Sequence, residues 1–437
     1  MTTPDLPDLP GLPDLTADRC FWLDGGGSTS WSGSRSLIGV LTDDDVSLTF
    51  DAERREVTRH QGGRTGIVGD DIFEVLEQSL DGDPDTHWVG CLGYAARTDL
   101  PGRPANQGPA NRWPDIRRLA SQHPASQHLA SRTPDAIWMR ARHVTWIDEP
   151  ARQAPAISPA SGVTSEAPEA AMDPDYAVAF TRVQEELHAG NTYEANLTYR
   201  VFKQSDEHPL AVYHRLRAAN PAPYTGYLAH RGTHLLSASP ERFATVDRRR
   251  WIETRPIKGT TPRGRTPEED RRLREHLASD AKYRAENLMI VDLLRNDLSM
   301  VCEPGTVNVP SLMQVESYAS VHQLVSTVRG RLRPEVSTLQ ALRAIFPAGS
   351  MTGAPKLRTM QIIDEVEATP RGLYAGAFGW ISGDGRADLG VVIRSLVRTP
   401  GHGWHVGTGG GITVRSDVAE EWAETRWKAD RVLSVLD

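Results

Sequence analysis

The stretch "RGLYAGAFGWISGDGRADLGVVIRSLV", from Arg371 to Val397, contains two apolar runs separated by the turn sequence "SGDG". Such runs, bounded by glycine and aspartate, are typical of β-strands joined by a short connection. A third strand is predicted at "GWHVGTGGGI" (403–412). Because these strands follow one another without an intervening helix, the pattern favours antiparallel over parallel pairing.

Helical patterns flank these strands. In "DPDYAVAFTRVQEELHAGN" (173–191), Asp173 is a candidate N-cap, Pro174 suits the first helical turn and Gly190 suits the end. The following "TYEANLTYRVF" (192–202) alternates between apolar and polar residues, as a strand does. Further helices are predicted over 267–299, 354–367 and 418–436. Since strands and helices occur in runs and not in strict alternation, we predict an α+β fold with antiparallel sheets.

The N-terminal part, residues 1–165, is predicted to be a β-rich region that precedes a catalytic domain over 173–437. Its strand-like runs are "SRSLIGVL", "VSLTF", "HWVGCLGY" and "IWMRARHVTWI". The opening "MTTPDLPDLPGLPDL" predicts a disordered tail over 1–18, because it is rich in proline and aspartate and has no apolar run. The Ala-, Pro- and Ser-rich stretch 150–172 is predicted to be a linker.

The composition argues against several classes of protein. The chain has 437 residues, a net charge of −8 and a pI of about 6.0. A nucleic-acid partner is therefore not expected, and an anionic substrate needs locally placed cations. No stretch approaches the roughly 18 apolar residues of a membrane span, so no membrane partner is expected. Three widely spaced cysteines fit neither a disulfide framework nor a Cys-x-x-Cys metal site, which favours the cytoplasm.

Two features of the predicted strands are candidates for anion binding. Arg394 lies in the apolar run "LGVVIRSLV", where a buried arginine is costly unless an anion pairs with it. That anion is either an internal carboxylate or the carboxylate of a substrate held by both arms of the guanidinium. "GTGGGI" (407–412) is either a tight turn or a run of backbone N–H groups that a carboxylate can approach.

Acidic residues in three places could act together. Glu421 and Glu424 lie three residues apart on one predicted helix, with Lys428 one turn further on. This spacing indicates either a solvated helix face or, with a carboxylate from a second helix such as Glu286, a Mg²⁺ site. Glu241, in the turn "SPERF", is either exposed or, if buried, a general acid with a raised pKa.

Lys258 ends a strand-like run in "TRPIKGTTPRG" (254–264). It is a surface charge, a Schiff-base lysine for pyridoxal phosphate, or a nucleophile whose pKa is lowered by burial and by nearby cations. The chain has no Gly-x-x-x-x-Gly-Lys-Ser/Thr phosphate loop, which disfavours pyridoxal phosphate and nucleotides. His322, in "VHQLVSTV", is either structural or catalytic.

The order and wording of these motifs together resemble the chorismate-utilising enzymes, a family that includes the anthranilate, aminodeoxychorismate, isochorismate and salicylate synthases. The matching stretches, from about Asp173 to the C-terminus, are "GNTYEANLTYR", "NPAPYTGYL", "SASPERF", "TRPIKGTTPRG", "AENLMIVDLLRNDL", "VHQLVSTVRG", "FPAGSMTGAPKLRTMQIIDE", "RGLYAGAFGWI", "GTGGGI" and "EEWAETRWKAD". The N-terminal part matches more loosely, through "FWLDGGG" and "WVGCLGYAARTDL". The resemblance implies the fold of anthranilate synthase component I, a sandwich of antiparallel sheets with helices on the outside.

The resemblance also implies roles for the acidic candidates. Glu286 and Glu424 would bind Mg²⁺ directly with support from Glu421, and the metal would hold the ring carboxylate of chorismate. Glu241 would protonate the departing 4-hydroxyl group, and His322 would lie beside the substrate ring. The implied substrate-binding residues are Thr352, Tyr374, Arg394, Gly410, Gly411 and Lys428.

Lys258 indicates the branch of the family. Relatives that make anthranilate, isochorismate or salicylate typically have alanine here, whereas lysine is typical of aminodeoxychorismate synthase component I. In that branch the lysine amine attacks C2 of chorismate while the 4-hydroxyl leaves. Ammonia then adds at C4 and expels the lysine. Glu194 agrees with this branch, because water-adding relatives place a lysine base at that position.

The resemblance therefore implies Mg²⁺-dependent amination of chorismate to 4-amino-4-deoxychorismate, on the route to 4-aminobenzoate. A separate glutamine amidotransferase subunit would supply the ammonia. The alternative is an anthranilate synthase component I with an atypical lysine, which would aminate C2 and eliminate pyruvate. A catalytically silent chorismate-binding subunit is disfavoured, because Lys258, Glu241, Glu286 and Glu424 are all present.

Overall fold

A computed structural model describes residues 13–25, 35–104, 133–148, 172–318, 321–400 and 403–436. The strands of this part of the chain are β1 (Arg19–Leu23), β2 (Arg35–Val40), β3 (Val46–Asp51), β4 (Glu56–Gln61), β5 (Arg64–Gly69), β6 (His87–Leu92), β7 (Ala136–Arg140), β8 (Val144–Asp148), β9 (Glu194–Lys203), β10 (Tyr224–His230), β11 (Thr233–Ser239), β12 (Arg242–Val246), β13 (Trp251–Arg255), β14 (Ile257–Pro262), β15 (Asn308–Ser317), β16 (Val321–Arg331), β17 (Gly353–Ala354), β18 (Ala377–Ser382), β19 (Ala387–Val391), β20 (Ser395–Arg398) and β21 (Trp404–Ile412). Its helices are α1 (Ile72–Ser79), α2 (Pro174–His188), α3 (Pro209–Ala219), α4 (Pro267–Ser279), α5 (Ala281–Ser299), α6 (Thr338–Ile345), α7 (Lys356–Val366) and α8 (Val418–Leu433). None of these helices combines the length and the apolar character needed to cross a membrane.

The strands form two antiparallel sheets. The nine-stranded sheet has the order β17-β9-β21-β20-β11-β10-β1-β2-β8. The twelve-stranded sheet has the order β14-β16-β13-β12-β19-β18-β6-β7-β3-β4-β5, with β15 paired to β16. The hairpin predicted around "SGDG" is confirmed, since β18 and β19 pair antiparallel with Ala377 opposite Val391.

The two sheets pack face to face with helices on their outer surfaces. The layer between the sheets contains Phe21 and Leu23 from one sheet and Cys91, Ile137 and Phe378 from the other. The outer face of the nine-stranded sheet is covered by α3 and α8, and that of the twelve-stranded sheet by α1, α5 and α6. Each of these layers removes apolar side chains from water, which is the main favourable contribution to folding. The predicted α+β sandwich is confirmed.

Strands from the two predicted regions of the chain share both sheets. β1, β2 and β8 belong to the nine-stranded sheet, whereas β3 to β7 belong to the twelve-stranded sheet. Leu15, inside the stretch predicted to be a disordered tail, is 5% exposed and packs in the core beneath α3 and α8. Apart from Met172, the predicted linker 150–172 lies outside the described residues.

The predicted helix over 267–299 is in fact two helices that meet at Asp280. This residue has φ −61° and ψ 122°, which is not helical, and it follows the last residue of α4. Its side chain then accepts a hydrogen bond from the backbone N–H of Tyr283, so it caps the start of α5. An aspartate can end one helix and cap the next in this way. The apolar residues keep their spacing of about 3.6 residues across the junction, so the sequence pattern does not reveal the break.

The predicted strand "ADLGVVIRSLV" is also two elements. β19 ends at Val391 in the twelve-stranded sheet, and β20 begins at Ser395 in the nine-stranded sheet. Arg394 lies at the crossing between the sheets with φ +51°, a conformation that residues other than glycine rarely adopt. The crossing is hidden in the sequence because both strands are buried and apolar. Strain of this kind is often found at functional positions.

Candidate active site

A cavity of about 410 Å³ opens where β9, β14, β21, α5 and α8 converge. It brings together all but two of the predicted site residues, although they are far apart in the chain. The predicted residues that line it are Glu241, Lys258, Glu286, Tyr374, Arg394, Gly410, Gly411, Glu421, Glu424 and Lys428.

His322 and Thr352, the remaining predicted residues, do not line the cavity. His322 is buried, with Nε2 3.0 Å from Asp270 Oδ1 and Nδ1 2.8 Å from Ser317 Oγ. Strand alternation places its neighbour Gln323 in the cavity wall instead. His322 is therefore not among the residues that line the cavity, and its position beside the substrate ring stays a prediction. Thr352 is fully buried, and its hydroxyl lies 3.2 Å from the carbonyl oxygen of Gly349.

Lys258 is buried in the cavity wall and forms an ion pair with Glu194. Glu194, at the start of β9, is 1% exposed, and its Oε1 accepts the hydrogen bond from Lys258 Nζ. Burial alone would lower the pKa of Lys258, but the carboxylates of Glu194, Glu286 and Glu241 outweigh burial and raise that pKa. The predicted lowering of the Lys258 pKa by nearby cations is therefore wrong. The raised pKa of Lys258 favours the ammonium form of the resting side chain.

Gly411 provides the space for this ion pair. It lies opposite Asn196 in the β9–β21 ladder, and a Cβ atom there would overlap Glu194 Oε1 and stand 3.0 Å from Lys258 Nζ. "GTGGGI" is therefore part of a strand and not a turn. Gly411 lets the lysine and the glutamate approach the backbone closely.

We expect Gly411→Ala to displace the charged ends of the Lys258–Glu194 pair and to lower the free energy of unfolding by about 1–3 kcal/mol, because a buried hydrogen bond between charged groups is lost. Gly66→Ala is the matched control, because a Cβ atom at Gly66 in β5 meets nothing within 4 Å. Urea denaturation of both variants measures the difference. Equal stability of the two variants would contradict the crowded arrangement around Gly411.

Glu241 is a buried carboxyl group suited to donate a proton. It is 5% exposed, and its Oε1 accepts a hydrogen bond of 2.6 Å from Ser350 Oγ. Burial raises the pKa of Glu241 to about 7, although the Ser350 hydroxyl and the Lys258 charge lower it in part. A carboxyl group with a pKa near neutrality can both give and regain a proton at physiological pH.

Three carboxylates from two helices line another side of the cavity. Glu286 on α5 is 8% exposed, and its Oε1 has no hydrogen-bond partner among the described residues. Glu421 Oε1 lies 3.2 Å from Lys282 Nζ, and Glu424 Oε1 lies 2.7 Å from Lys428 Nζ. Within the described ranges, no three acidic, histidine or cysteine side chains are close enough to enclose a metal as they stand. Two of the carboxylates are instead turned toward lysines.

The donor chemistry of these carboxylates nevertheless fits a hard divalent cation. Mg²⁺ prefers oxygen ligands, binds through one or two carboxylates and keeps several waters. The unpartnered Oε1 of Glu286 is a buried carboxylate oxygen with unused capacity. Burial raises the pKa of Glu286 to about 7, although Lys258 opposes this, so a cation would favour its ionised form.

Arg394 lines the cavity, and among the described residues it has no acidic partner. No carboxylate in the described part of the chain lies within ion-pair distance of its guanidinium, which instead lies 5.2 Å from the centre of the Trp427 ring. Burial and the neighbouring charge of Arg431 lower the pKa of Arg394 to about 10. The internal salt bridge considered from the sequence is therefore not formed with any carboxylate of the described residues. A half-buried guanidinium of this kind is available to a substrate carboxylate.

Tyr374 lies against the strand that carries the glycines. The Tyr374 ring is buried, and a Cβ atom at Gly407 would overlap it. The guanidinium of Arg200 also packs over the Tyr374 ring, 4.9 Å from the ring centre. Tyr374 is therefore rigidly held beside the cavity, which suits a residue that positions a ligand.

Sequence reasoning missed the roles of Lys282 and Ser350 and noted Glu194 only as a difference from relatives. Lys282 and Ser350 contact predicted site residues across the cavity. Glu194 lies on the polar face of an alternating strand, yet the face is buried, and this combination could have marked it as a site residue. Its partner Lys258 comes from a distant strand, so the ion pair itself had no local signal.

Comparison with known proteins agrees with the fold and the motifs. The sequence model of the chorismate binding enzyme family matches residues 18–434. Aminodeoxychorismate synthase from Streptomyces griseus is 40% identical over an alignment of 448 positions, gaps included, that covers 97% of this chain and 61% of that protein. Aminodeoxychorismate synthase component 1 from Salmonella typhimurium is 43% identical over 263 residues, which cover 60% of this chain and 58% of that protein.

A solved structure has the same architecture. The crystal structure of anthranilate synthase component I from Streptococcus pneumoniae superposes with a TM-score of 0.71 at 25% identity, covering 93% of each chain. The chain spans 61% of the length of the Streptomyces griseus relative, so part of that protein has no counterpart here. Because the family match extends from β1 to the end of α8 and includes every residue that lines the cavity, the chain belongs to the chorismate binding enzymes.

Proposed function

We propose that this chain binds chorismate and aminates it at C4 with ammonia, giving 4-amino-4-deoxychorismate, the precursor of 4-aminobenzoate. The observation that carries the proposal is the buried Lys258 amine, which shares one cavity with the buried acid Glu241. Similarity to the aminodeoxychorismate synthases supports the same reaction.

The charges around the cavity suit a dicarboxylate. Arg394 and the backbone N–H groups near Gly410 and Gly411 would hold the enolpyruvyl carboxylate. Glu286 and Glu424, with Glu421, would hold Mg²⁺ near the ring carboxylate. Bound there, Mg²⁺ would neutralise that carboxylate while charge moves through the ring. Tyr374 and Lys428 would complete the walls of the substrate site.

Lys258 and Glu241 would perform the substitution in two steps. The neutral lysine amine forms a bond to C2, the ring double bond shifts, and the C4–O bond breaks as Glu241 protonates the departing hydroxyl, which leaves as water. Ammonia then forms a bond to C4, the double bond shifts back, and the C2–N bond to Lys258 breaks. The new C4 ammonium returns a proton to Glu241.

The ammonia would come from a glutamine amidotransferase partner. The name of the Salmonella typhimurium relative contains the term component 1, which supports an assembly with at least one further component. With free ammonium as the nitrogen source, the chain alone should turn over chorismate. With glutamine, turnover should require the partner.

Product analysis tests the proposed function. The chain is incubated with chorismate, Mg²⁺ and excess ammonium, and the products are separated before and after addition of a lyase that converts 4-amino-4-deoxychorismate to 4-aminobenzoate. We expect 4-aminobenzoate only after the lyase is added. Fluorescent anthranilate formed without the lyase would instead favour the anthranilate synthase reaction, which the likeness to the Streptococcus pneumoniae structure keeps as the second candidate.

The pH dependence of amination should report the protonation of Glu241. Its pKa is raised to about 7, so the acid is protonated below that pH and ionised above it. We therefore expect kcat/KM to fall about tenfold per pH unit on the alkaline side of pH 7. Ser350→Ala removes a hydrogen bond that lowers the Glu241 pKa, so this alkaline limb should move to higher pH. An alkaline limb that is unchanged in Ser350→Ala would argue that another group controls it.

A further inference from the structure

Glu194 is a fully buried carboxylate that the two-step substitution leaves without a role. It is 1% exposed, and its Oε1 accepts the hydrogen bond from Lys258 Nζ. Its Oε2 has no hydrogen-bond partner among the described residues. A buried carboxylate with an unused oxygen is costly, and removing two charges from water often costs more than their attraction returns. A contribution to stability alone is therefore a poor explanation for the pair.

The resting state of Lys258 creates a chemical requirement. Its ammonium form has no lone pair, so it must lose a proton before nitrogen can form a bond to carbon. The acidic groups that face Lys258 are Glu194, Glu286 and Glu241. Glu241 must itself be protonated to release the hydroxyl as water, and Glu286 is the proposed metal ligand. Glu194 is the remaining base, and it already accepts the hydrogen bond along which the proton would move.

We propose that Glu194 is the base that takes the proton from Lys258 before C2 is attacked and returns it when the lysine is released. This proposal rests on the proposed function, because it concerns the covalent step at Lys258. In the first step, the N–H bond of Lys258 breaks and an O–H bond forms on Glu194. The lysine lone pair then forms the C2–N bond.

The protons balance over the whole reaction. The adduct carries a secondary ammonium at Lys258, so breaking the C2–N bond releases a neutral amine. Protonated Glu194 then returns its proton to that amine and restores the resting ion pair. Glu241, which lost its proton to the leaving hydroxyl, regains one from the new C4 ammonium. The net reaction is chorismate plus ammonia giving 4-amino-4-deoxychorismate plus water, with both glutamates unchanged.

The proposal is tested on the covalent step alone. The full chain is mixed with chorismate and Mg²⁺ without ammonia, and the Lys258 adduct is followed by quenching and intact-mass analysis between pH 6 and 9. At pH 7 we expect Glu194→Gln to form the adduct about 10²-fold more slowly than the unaltered chain. The ratio of the variant rate to the unaltered rate should rise about tenfold per pH unit, because the variant depends on solvent to remove the proton.

Further variants separate proton transfer from a structural role. Glu185→Gln makes the same change on the exposed face of α2 and should leave the adduct rate unchanged. Glu194→Ala leaves space for a small carboxylate, and added formate should restore part of its adduct rate. Glu194→Asp keeps a carboxylate, so it should react more slowly with the pH dependence of the unaltered chain. Circular dichroism and chorismate binding establish that each variant is folded and occupied.

The possible results distinguish a failure of the role proposed for Glu194 from a failure of the proposed function. An adduct rate in Glu194→Gln equal to that of the unaltered chain at every pH would overturn the role of Glu194 and leave the proposed function intact. A constant ratio of rates across the pH range, without rescue by formate, would assign Glu194 a structural role only. Absence of any adduct in the unaltered chain, together with anthranilate as product, would overturn the proposed function itself.

Discussion

Lys258→Ala is expected to lower C4 amination of chorismate by more than about 10³-fold, the largest effect of any single substitution in this chain. The variant lacks the amine that would form the C2–N bond, so the two-step route is lost. Ammonia would have to displace the hydroxyl at C4 directly. The measurement is the steady-state rate with saturating ammonium and Mg²⁺, coupled to the lyase.

Chorismate binding should survive this substitution, because Arg394 and the carboxylate cluster remain in place. Intact-mass analysis should show no adduct, whereas the unaltered chain should show one. Lys258→Arg keeps a positive charge beside Glu194 but offers no nucleophilic amine, so we expect it to be as inactive as the alanine variant. An active Lys258→Arg would show that the lysine positions the ring through its charge and forms no bond.

Stability must be followed in parallel, because Lys258→Ala leaves Glu194 buried without its partner. Breaking one side of a buried ion pair typically costs about 3–5 kcal/mol. Lys203→Ala, a lysine substitution in β9 remote from the cavity wall, is the matched control and should retain full amination. The double variant Lys258→Met/Glu194→Gln should recover stability without activity, which separates unfolding from loss of the nucleophile.

Glu286→Gln is expected to abolish Mg²⁺ binding and to lower kcat/KM by about 10²–10³-fold. The reason is that a metal ion that neutralises substrate charge stabilises the transition state by several kcal/mol. The change removes a buried carboxylate oxygen that lacks a partner among the described residues. Isothermal titration with Mg²⁺, with and without chorismate, measures the loss directly. Glu420→Gln, exposed on the same helix as Glu421 and Glu424, is the matched control and should bind Mg²⁺ normally.

The metal-free stability of this variant gives an independent test. The pKa of Glu286 is raised to about 7 by burial, so the folded chain holds that proton more tightly than the unfolded chain. Ionisation of Glu286 therefore destabilises the metal-free fold as the pH rises from about 4.5 toward 7. Glu286→Gln cannot ionise and should be more stable than the unaltered chain above pH 7 without Mg²⁺. Full activity of the unaltered chain in excess chelator would contradict the metal site.

Local patterns were sufficient to predict most elements of the fold. The hairpin at "SGDG", the helix capped by Asp173 and the alternating strand from Glu194 all depend on residues close together in sequence. Ten of the twelve site residues that the order of the motifs predicted line the cavity. These predictions held because turn chemistry, helix capping and side-chain periodicity are properties of a short segment.

Side-chain direction was less predictable on strands that are buried on both faces. His322 and Gln323 are 1% and 6% exposed, so alternation along β16 carries no signal about which of them meets the cavity. The apolar run around Arg394 concealed a crossing between the two sheets for the same reason. Alternation of apolar and polar residues distinguishes the two faces of a strand only where one face is exposed to solvent.

The sequence by itself determined that this chain is an antiparallel α+β protein with a lysine, an acid and a set of carboxylates in chorismate-family motifs. Only the tertiary structure decided which groups touch. It paired Lys258 with Glu194, reversed the expected direction of the lysine pKa and left Arg394 without a carboxylate partner among the described residues. The reason is physical, because charge interactions depend on distance and burial between segments that are remote in the chain.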